Sequence, residues 1–205
     1  MTMFNAITSF FAYTIVAIAA QNVIFTRGLG LSNGLRMIND PKKDTAYFCA
    51  SFAVFQLINS ILAYFVLPLL SHSKFEPYAR FVSPVVIVMC CAFSFIVVVF
   101  ILSMIVSKQV FKKLVLSLTS ASINSAIVGT IILTTSRGFN LIETIGFAIG
   151  SSIDYFLAMI LISEGNRKIR HDLVPEHFKG LPIMLIYISV LALAIYGLTG
   201  NAVAL

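Results

Sequence analysis

Two asparagines lie inside apolar stretches of this chain, one in each half. The first stretch reads Q-N-V-I-F-T-R-G-L-G-L-S (residues 21–32), and the second reads I-N-S-A-I-V-G-T (residues 123–130). Hydrocarbon offers an asparagine side chain no hydrogen-bond partner, so its presence there needs a reason. The pair predicts an internal repeat whose broken helices meet at a polar site near the middle of a membrane. The alternative is that Asn22 and Asn124 only hydrogen-bond across helices and hold them together.

A carboxyl group is the third candidate for chemistry. Asp154 follows Glu143 by eleven residues, which is about 16 Å along a helix and close to mid-membrane. An ionisable residue at that depth predicts cation binding, proton relay or pairing with a base. Alternatively, Asp154 is neutral or is hydrogen-bonded to serines on adjacent helices. The predicted ion or substrate pathway consists of Asn22, Gly30, Asn124, Gly129 and Asp154.

Composition places these residues in a membrane. Of 205 residues, 59% are hydrophobic and 11% are charged, and the mean hydropathy is +0.98; soluble domains carry about 25% charged residues. Six apolar stretches approach the ~20 residues that cross a bilayer. We call them spans 1 to 6, at about 4–26, 45–70, 82–106, 114–135, 139–163 and 181–200.

These spans predict an all-α integral membrane protein with a single polytopic domain over residues 1–205. We expect two inverted three-helix repeats, about 1–106 and 107–205, with spans 1 and 4 broken. Span 1 is not preceded by a basic region and lacks a convincing A-x-A cleavage site. We therefore interpret it as a retained helix and not as a signal peptide.

Basic residues predict the orientation. Of 14 Lys and Arg residues, eleven fall in loops on one side, and the other side has Lys74, Arg80 and Arg137. The positive-inside rule places the richer side in the cytoplasm and both termini outside, in a multi-pass protein of a bacterial plasma membrane. The net charge of +6 is then a topology signal with lipid headgroups as counter-charge, and it requires no nucleic acid. The cytoplasmic loop 164–180 is the candidate surface for a soluble partner.

Other motifs exclude several kinds of site. No C-x-x-C or His/Cys cluster occurs, so Cys49, Cys90 and Cys91 predict buried packing rather than a metal site or a disulfide. Glycines at 28, 30 and 34 follow a membrane helix and not a strand, so they do not form a dinucleotide fingerprint. Gln56 and Asn59 are three residues apart in span 2, and that shared face should point into the bundle.

Three motifs occur in order: Q-N-V-I-F-T-R-G-L-G-L-S-N-G, then S-I-N-S-A-I-V-G, then V-P-E-H-F-K-G. In this order they resemble the Rnf/Nqr membrane-subunit family, most closely its RnfA/NqrE branch. The family motifs look like N-N-F-x-L-x-x-x-L-G-x-C-P-F, T-T-N-C-A-V-L-G and V-P-x-x-F-[RK]-G. The resemblance covers the whole chain. The first two motifs agree at Asn22, Leu29, Gly30, Asn124, Ala126 and Gly129.

The resemblance implies a component of an ion-translocating oxidoreductase. Such complexes couple electron flow between NADH or ferredoxin and a second carrier to the movement of Na⁺ or H⁺. A member of this branch pairs with an RnfE/NqrD-like homologue of opposite topology and assembles with other Rnf-like subunits. In the family, cysteines on the half-helices of both homologues hold an iron–sulfur cluster.

This chain departs from the family at both cluster cysteines, where it has Ser32 and Ser125. Serine is a poor ligand for iron–sulfur clusters, which favour thiolate. We therefore expect no cofactor bound by this chain alone, and a cluster only with ligands from a partner. Asp154 also stands where the family has a small or neutral residue.

Three functions are compatible with this pattern. The first is a redox-complex subunit that contributes scaffold and ion pathway. The alternative is a non-redox transporter or channel-like paralogue with a polar site between half-helices. A third is a membrane scaffold that only assembles partners.

Overall fold

The computed structural model describes residues 3–19, 22–32, 45–71, 78–169 and 172–199. In these ranges all the regular elements are helices, which confirms the predicted all-α class for this part of the chain. A 3₁₀ turn, Glu176–Phe178, precedes the last helix. The helices are α1 (Met3–Ala19), α2 (Thr45–Ser71), α3 (Ala79–Ile105), α4 (Lys108–Ser122), α5 (Ser125–Ser136), α6 (Leu141–Lys168) and α7 (Leu181–Thr199).

Each predicted span contains an apolar helical segment, and the protein is a multi-pass membrane protein. Within the described residues, four segments are long and apolar enough to cross a membrane: Tyr47–Leu70, Phe81–Ile105, Leu118–Ser136 and Leu141–Lys168. The apolar segments of spans 1 and 6 are shorter, at Asn5–Ile18 and Leu181–Gly197. Span 1 is shorter than predicted because its regular helix does not continue into the polar stretch that begins at Asn22. The inverted repeat itself stays a prediction.

Both asparagines lie where helical structure is interrupted. In span 4, α4 ends at Ser122, and Asn124 has extended backbone angles of φ −118° and ψ 131° before α5 begins. After α1, residues 22–30 form turns, and helix resumes at Leu31. Gly28 and Gly30 have φ of 66° and 76° in this segment, a conformation that glycine adopts without steric cost.

Close contact between α1 and α6 sets the position of the first break. Gly146 and Gly150 form a G-x-x-x-G pair on α6, and such pairs let helix backbones approach closely. A Cβ atom at Gly146 would lie 2.6 Å from the Phe10 carbonyl oxygen of α1. The Thr14 hydroxyl also donates to the Gly146 carbonyl at 3.0 Å. This packing brings the end of α1 beside the middle of α6.

The position of Asp154 along α6 depends on where this helix begins. Asn140 and Glu143 form a capping box: the Glu143 amide donates to Asn140 Oδ1 at 3.0 Å, and the Asn140 amide donates to Glu143 Oε2 at 2.9 Å. This reciprocal arrangement satisfies two amides at the helix start. Asp154 therefore lies near the centre of a helix with a defined first residue.

The core surrounds α2, which packs against α3, α4, α5 and α6. Gln56 and Asn59 are fully buried, which confirms that their face points into the bundle. Much of α3 is exposed and apolar, as expected of a helix that faces lipid. Its exposed side chains include Phe81, Met89, Phe93, Ile96, Phe100 and Met104.

Candidate functional site

The carboxyl group of Asp154 is buried, with 2% of the residue exposed. Its Oδ1 accepts a hydrogen bond from Asn22 Nδ2, and its Oδ2 accepts one from the Val23 amide at 3.2 Å. The partners therefore come from the broken segment after α1. The described contacts of this carboxyl include no serine, so they do not support the alternative that serines on adjacent helices hold it.

Asn22 fixes the fold of its own segment as well as contacting α6. Its Oδ1 accepts from the Phe25 amide at 2.7 Å. Its carbonyl accepts from the Thr26 amide at 3.1 Å and from the Thr26 hydroxyl. The side chain thus stabilises the turn with its oxygen and binds Asp154 with its nitrogen.

Asn124 does the same in the second half of the chain. It caps α5, because its Oδ1 accepts from the Ala126 amide at 3.0 Å. Its Nδ2 donates to the Tyr155 hydroxyl at 3.0 Å. The two asparagines therefore bind adjacent residues of α6, Asp154 and Tyr155, in equivalent ways.

The two broken segments also contact each other at Gly30. The Gly30 amide donates to Ser125 Oγ at 2.8 Å, and the Gly30 carbonyl accepts from the Tyr155 hydroxyl at 3.1 Å. A Cβ atom at Gly30 would lie 2.7 Å from Tyr155 and 2.9 Å from Asn124 Oδ1. A larger residue would therefore separate the segments. The structure brings together five predicted residues: Asn22, Gly30, Asn124, Ser125 and Asp154.

The remaining two predicted residues have different surroundings. A Cβ atom at Gly129 would collide with the Leu29 side chain, so this glycine lets the first broken segment pack on α5. Ser32 is exposed at the start of the helical turn that follows Gly30. None of the described hydrogen bonds joins Ser32 to Ser125 or Asp154.

Tyr155 is absent from the predicted set, yet it joins both halves of the site. Its ring stacks on Phe52 with centroids 3.9 Å apart, and its hydroxyl bonds to Asn124 and Gly30. Its position in the sequence could have marked it as a site residue. It lies in the middle of span 5, directly after the aspartate, and a buried tyrosine hydroxyl needs a hydrogen-bond partner.

The described contacts of Asp154 include no lysine or arginine. The groups that contact its carboxyl are therefore uncharged dipoles, namely the Asn22 amide and the Val23 backbone N–H. The amino end of α5 begins beside the site, at the Asn124 cap, and a helix amino end carries a partial positive charge.

Cys49, Cys90 and Cys91 are buried in α2 and α3 with free thiols, which confirms their predicted burial. In the described ranges, no group of three or more His, Cys, Asp and Glu side chains could hold a metal ion.

Fold and site together define a multi-pass helical membrane protein in which the segments at two helix breaks bond two adjacent buried residues of α6, Asp154 and Tyr155. The profile of a family described as Rnf-Nqr subunit, membrane protein, matches residues 10–202. The chain therefore belongs to the Rnf-Nqr family of membrane subunits, as its three motifs predict.

Individual relatives agree with this family. The chain is 31% identical over 94 residues to a component of the ion-translocating oxidoreductase complex of Syntrophotalea carbinolica, covering 46% of this chain and 49% of that protein. It is 28% identical over 94 residues to a component of the Na⁺-translocating NADH-quinone reductase of Chlamydia muridarum, covering 46% and 38%. The matched stretch thus spans about half, or less, of the length of these relatives.

Proposed function

We propose that this chain is a membrane subunit of an Rnf/Nqr-like ion-translocating electron-transport complex, in which it supplies scaffold and part of the pathway for Na⁺ or H⁺. Membership of the family and the names of the relatives support this class. One observation carries the role in ion movement. Two broken segments, one from each half of the chain, converge on the adjacent buried residues Asp154 and Tyr155 of α6.

The chemistry suits a small cation or a proton. Each carboxyl oxygen of Asp154 accepts one described hydrogen bond, and a carboxylate oxygen has a further lone pair. Unwound carbonyls and half-helix ends coordinate Na⁺ or H⁺ in membrane transporters with broken helices. The Gly30 carbonyl is such a group, and the Asn22 and Asn124 side-chain oxygens are further acceptors in the two broken segments. Asp154 would bind the ion, and the two asparagines would hold the segments in place around it.

We further propose an RnfE/NqrD-like membrane homologue of opposite topology as the direct partner, together with other Rnf-like subunits. Ser32 and Ser125 are both exposed on this chain, so they are accessible to such a homologue. Lipid covers the remaining apolar surface, and the +6 charge requires no nucleic acid.

We infer that this chain alone does not hold the iron–sulfur cluster of its family. Serine hydroxyls stand at both ligand positions, and iron–sulfur clusters favour thiolate. Ser125 Oγ also accepts a hydrogen bond from the Gly30 amide at 2.8 Å, so it already has a structural task. The residues present do not fit the cluster, and a cluster here would depend on ligands from the partner.

These two serines favour a second candidate function, a non-redox transporter or channel-like paralogue. In that function the same polar site would bind its ion or substrate without electron transfer. Iron and acid-labile sulfide, measured on the gently purified complex, separate the two. Stoichiometric iron supports the redox subunit with ligands from a partner, and an intact complex without iron favours the paralogue.

The test of the ion pathway is Asp154→Asn, which preserves shape and removes the carboxyl group. We expect normal membrane insertion and a loss of ion movement of about tenfold or more, because the ionisable group at mid-membrane is gone. The measurement is Na⁺ uptake and pH change in vesicles reconstituted with the purified complex. The matched control is Ser152→Ala on the same helix, whose hydroxyl bonds only the Ala148 carbonyl among the described contacts. Unchanged transport by Asp154→Asn would remove this residue from the pathway.

A further inference from the structure

A cavity of about 370 Å³ opens between α2, α5 and the start of α6. Four of its lining residues carry hydroxyl groups, namely Ser60, Thr134, Thr135 and Thr144, and most of the others are apolar or aromatic, such as Leu67 and Tyr64. Ser60, Thr134 and Thr144 are nearly buried. It lies at the end of the bundle that carries Gly138, which the charge distribution predicts to be extracytoplasmic. The liquid volume of one water molecule is about 30 Å³, so the cavity has room for about ten.

Two buried side-chain amides of α2 are incompletely satisfied, and one of them, Gln56, contacts a residue of the cavity wall. Gln56 Nε2 donates to Ser60 Oγ at 3.3 Å, and Ser94 Oγ donates to Asn59 Oδ1 at 2.7 Å. Among the described residues, Gln56 Oε1 and Asn59 Nδ2 are buried without a hydrogen-bond partner. An unpaired buried polar group costs free energy, and a buried water that bridges such groups removes that cost. Gln56 is joined to the cavity wall through Ser60.

Hydroxyl groups continue from the cavity toward Asp154 on two helices. On α5, Thr134 lines the cavity, and Thr130 is one turn earlier on the same face. On α6, Thr144 lines the cavity, and Ser151 follows two turns later, three residues before Asp154. The Thr130 and Ser151 hydroxyls are 3.1 Å apart. The buried side chains of Ile131 and Phe147 lie between these polar groups along the two helices, so the inner end is closed in this conformation.

We propose that this cavity is a water-filled vestibule, open to the extracytoplasmic side, through which a small monovalent cation or proton reaches the Asp154 site. Gln56 holds water beside its wall through Ser60, and Ile131 and Phe147 close its inner end. The role of the vestibule in delivering the ion rests on the proposed function. Its water content and the side to which it opens are independent of that function.

The test is thiol labelling in intact cells. Cys49, Cys90 and Cys91 are first replaced by alanine, and single cysteines are then introduced as Ser60→Cys and Thr135→Cys. A charged, membrane-impermeant methanethiosulfonate reacts with thiolate, which forms in water, so we expect both positions to react about tenfold faster than a cysteine facing lipid. Ile61→Cys is the lipid-facing control, since Ile61 is exposed on the apolar outside of α2. Ser136→Cys, at the exposed end of α5, is the control for access to the outer surface.

Labelling of Ser60→Cys and Thr135→Cys from outside, with a matching loss of ion movement, supports the vestibule. Labelling of Ser136→Cys without Ser60→Cys and Thr135→Cys overturns it, because the cavity is then dry or closed to that side. Labelling that leaves ion movement unchanged overturns the delivery role. If Asp154→Asn still abolishes movement in that last case, only the vestibule fails and the proposed function stands.

Discussion

Asn22 and Asn124 show how one side chain serves structure and site at once. Each amide oxygen caps backbone N–H groups that a broken helix leaves unpaired. Each amide nitrogen reaches α6, at Asp154 or at Tyr155. Packing by interhelical hydrogen bonds is therefore real, but it does not exclude a functional site. The groups that the asparagines hold are an ionisable carboxyl and the phenol beside it.

At the scale of single residues, Tyr155→Phe should destabilise the junction between the two segments. The ring would still stack on Phe52, but Asn124 Nδ2 and the Gly30 carbonyl would lose a buried partner. We expect a loss of about 1–3 kcal/mol in the free energy of unfolding, measured by thermal unfolding in detergent. The matched control is Tyr187→Phe, whose hydroxyl bonds the Leu161 carbonyl at an exposed position and should cost less. Equal losses for the two variants would contradict the bridging role.

A double-mutant cycle refines that prediction. Asn124→Ala removes the α5 cap as well as the bond to Tyr155, so its own cost mixes two effects. The cycle with Tyr155→Phe isolates the pair, and we expect a coupling energy of about 0.5–3 kcal/mol. Additive losses would show that the 3.0 Å contact does not stabilise the site.

At the scale of elements, the contact between α1 and α6 positions the polar residues. Small residues on α6 allow the backbone of α1 to approach. Asn22 can then reach Asp154, which lies one helical turn beyond Gly150. The glycines therefore act on the site through geometry and not through chemistry of their own.

Gly150→Ala adds only one methyl group, but we expect it to lower the stability of the protein and its ion movement. A Cβ atom there would collide with the Thr14 carbonyl and lie 2.7 Å from Ala17. Overpacking of this kind costs about 1–3 kcal/mol, and it should lower both the unfolding temperature and ion movement. Gly197→Ala on α7 is the control, because a Cβ atom there would contact nothing within 4 Å. It should leave stability unchanged or raise it slightly, and an equal loss for both variants would argue against the close contact.

At the scale of the whole molecule, the asymmetric loops predict which side each site faces. The predicted topology assigns eleven of 14 basic residues to one side, so we expect the cavity and both termini to be extracytoplasmic. The loop with Leu173 and Phe178 exposed should then face the cytoplasm, where soluble partners are available.

Reporter fusions measure this orientation directly. Alkaline phosphatase fused to the C-terminus should be active, and green fluorescent protein fused there should be dark, because each folds on only one side of the membrane. Green fluorescent protein fused after Lys168 should be bright, since that position begins the basic loop. The opposite reporter pattern would show that the protein has the opposite orientation, with the vestibule on the cytoplasmic side.

Local sequence was enough to establish the membrane class, the helical spans and the family. These properties depend on composition and spacing: hydrocarbon selects apolar stretches of about 20 residues, whatever their neighbours are. Local sequence also located both helix breaks, because asparagine and glycine interrupt helices through their own hydrogen bonds and backbone freedom. Asp154 became a candidate by the same reasoning, since a carboxyl at mid-membrane is costly in any fold.

Which of these residues meet depends on tertiary packing. The bonds from Asn22 to Asp154 and from Gly30 to Tyr155 join residues 132 and 125 positions apart, and no local pattern specifies such pairs. Tyr155 belongs to the site because packing of α1, α2 and α5 around α6 brings Phe52, Asn124 and Gly30 to its ring and hydroxyl. The cavity beside Ser60 likewise depends on packing, because residues of three helices line it. Periodicity indicates which face of a helix is buried, whereas the partner across that face depends on how the helices pack.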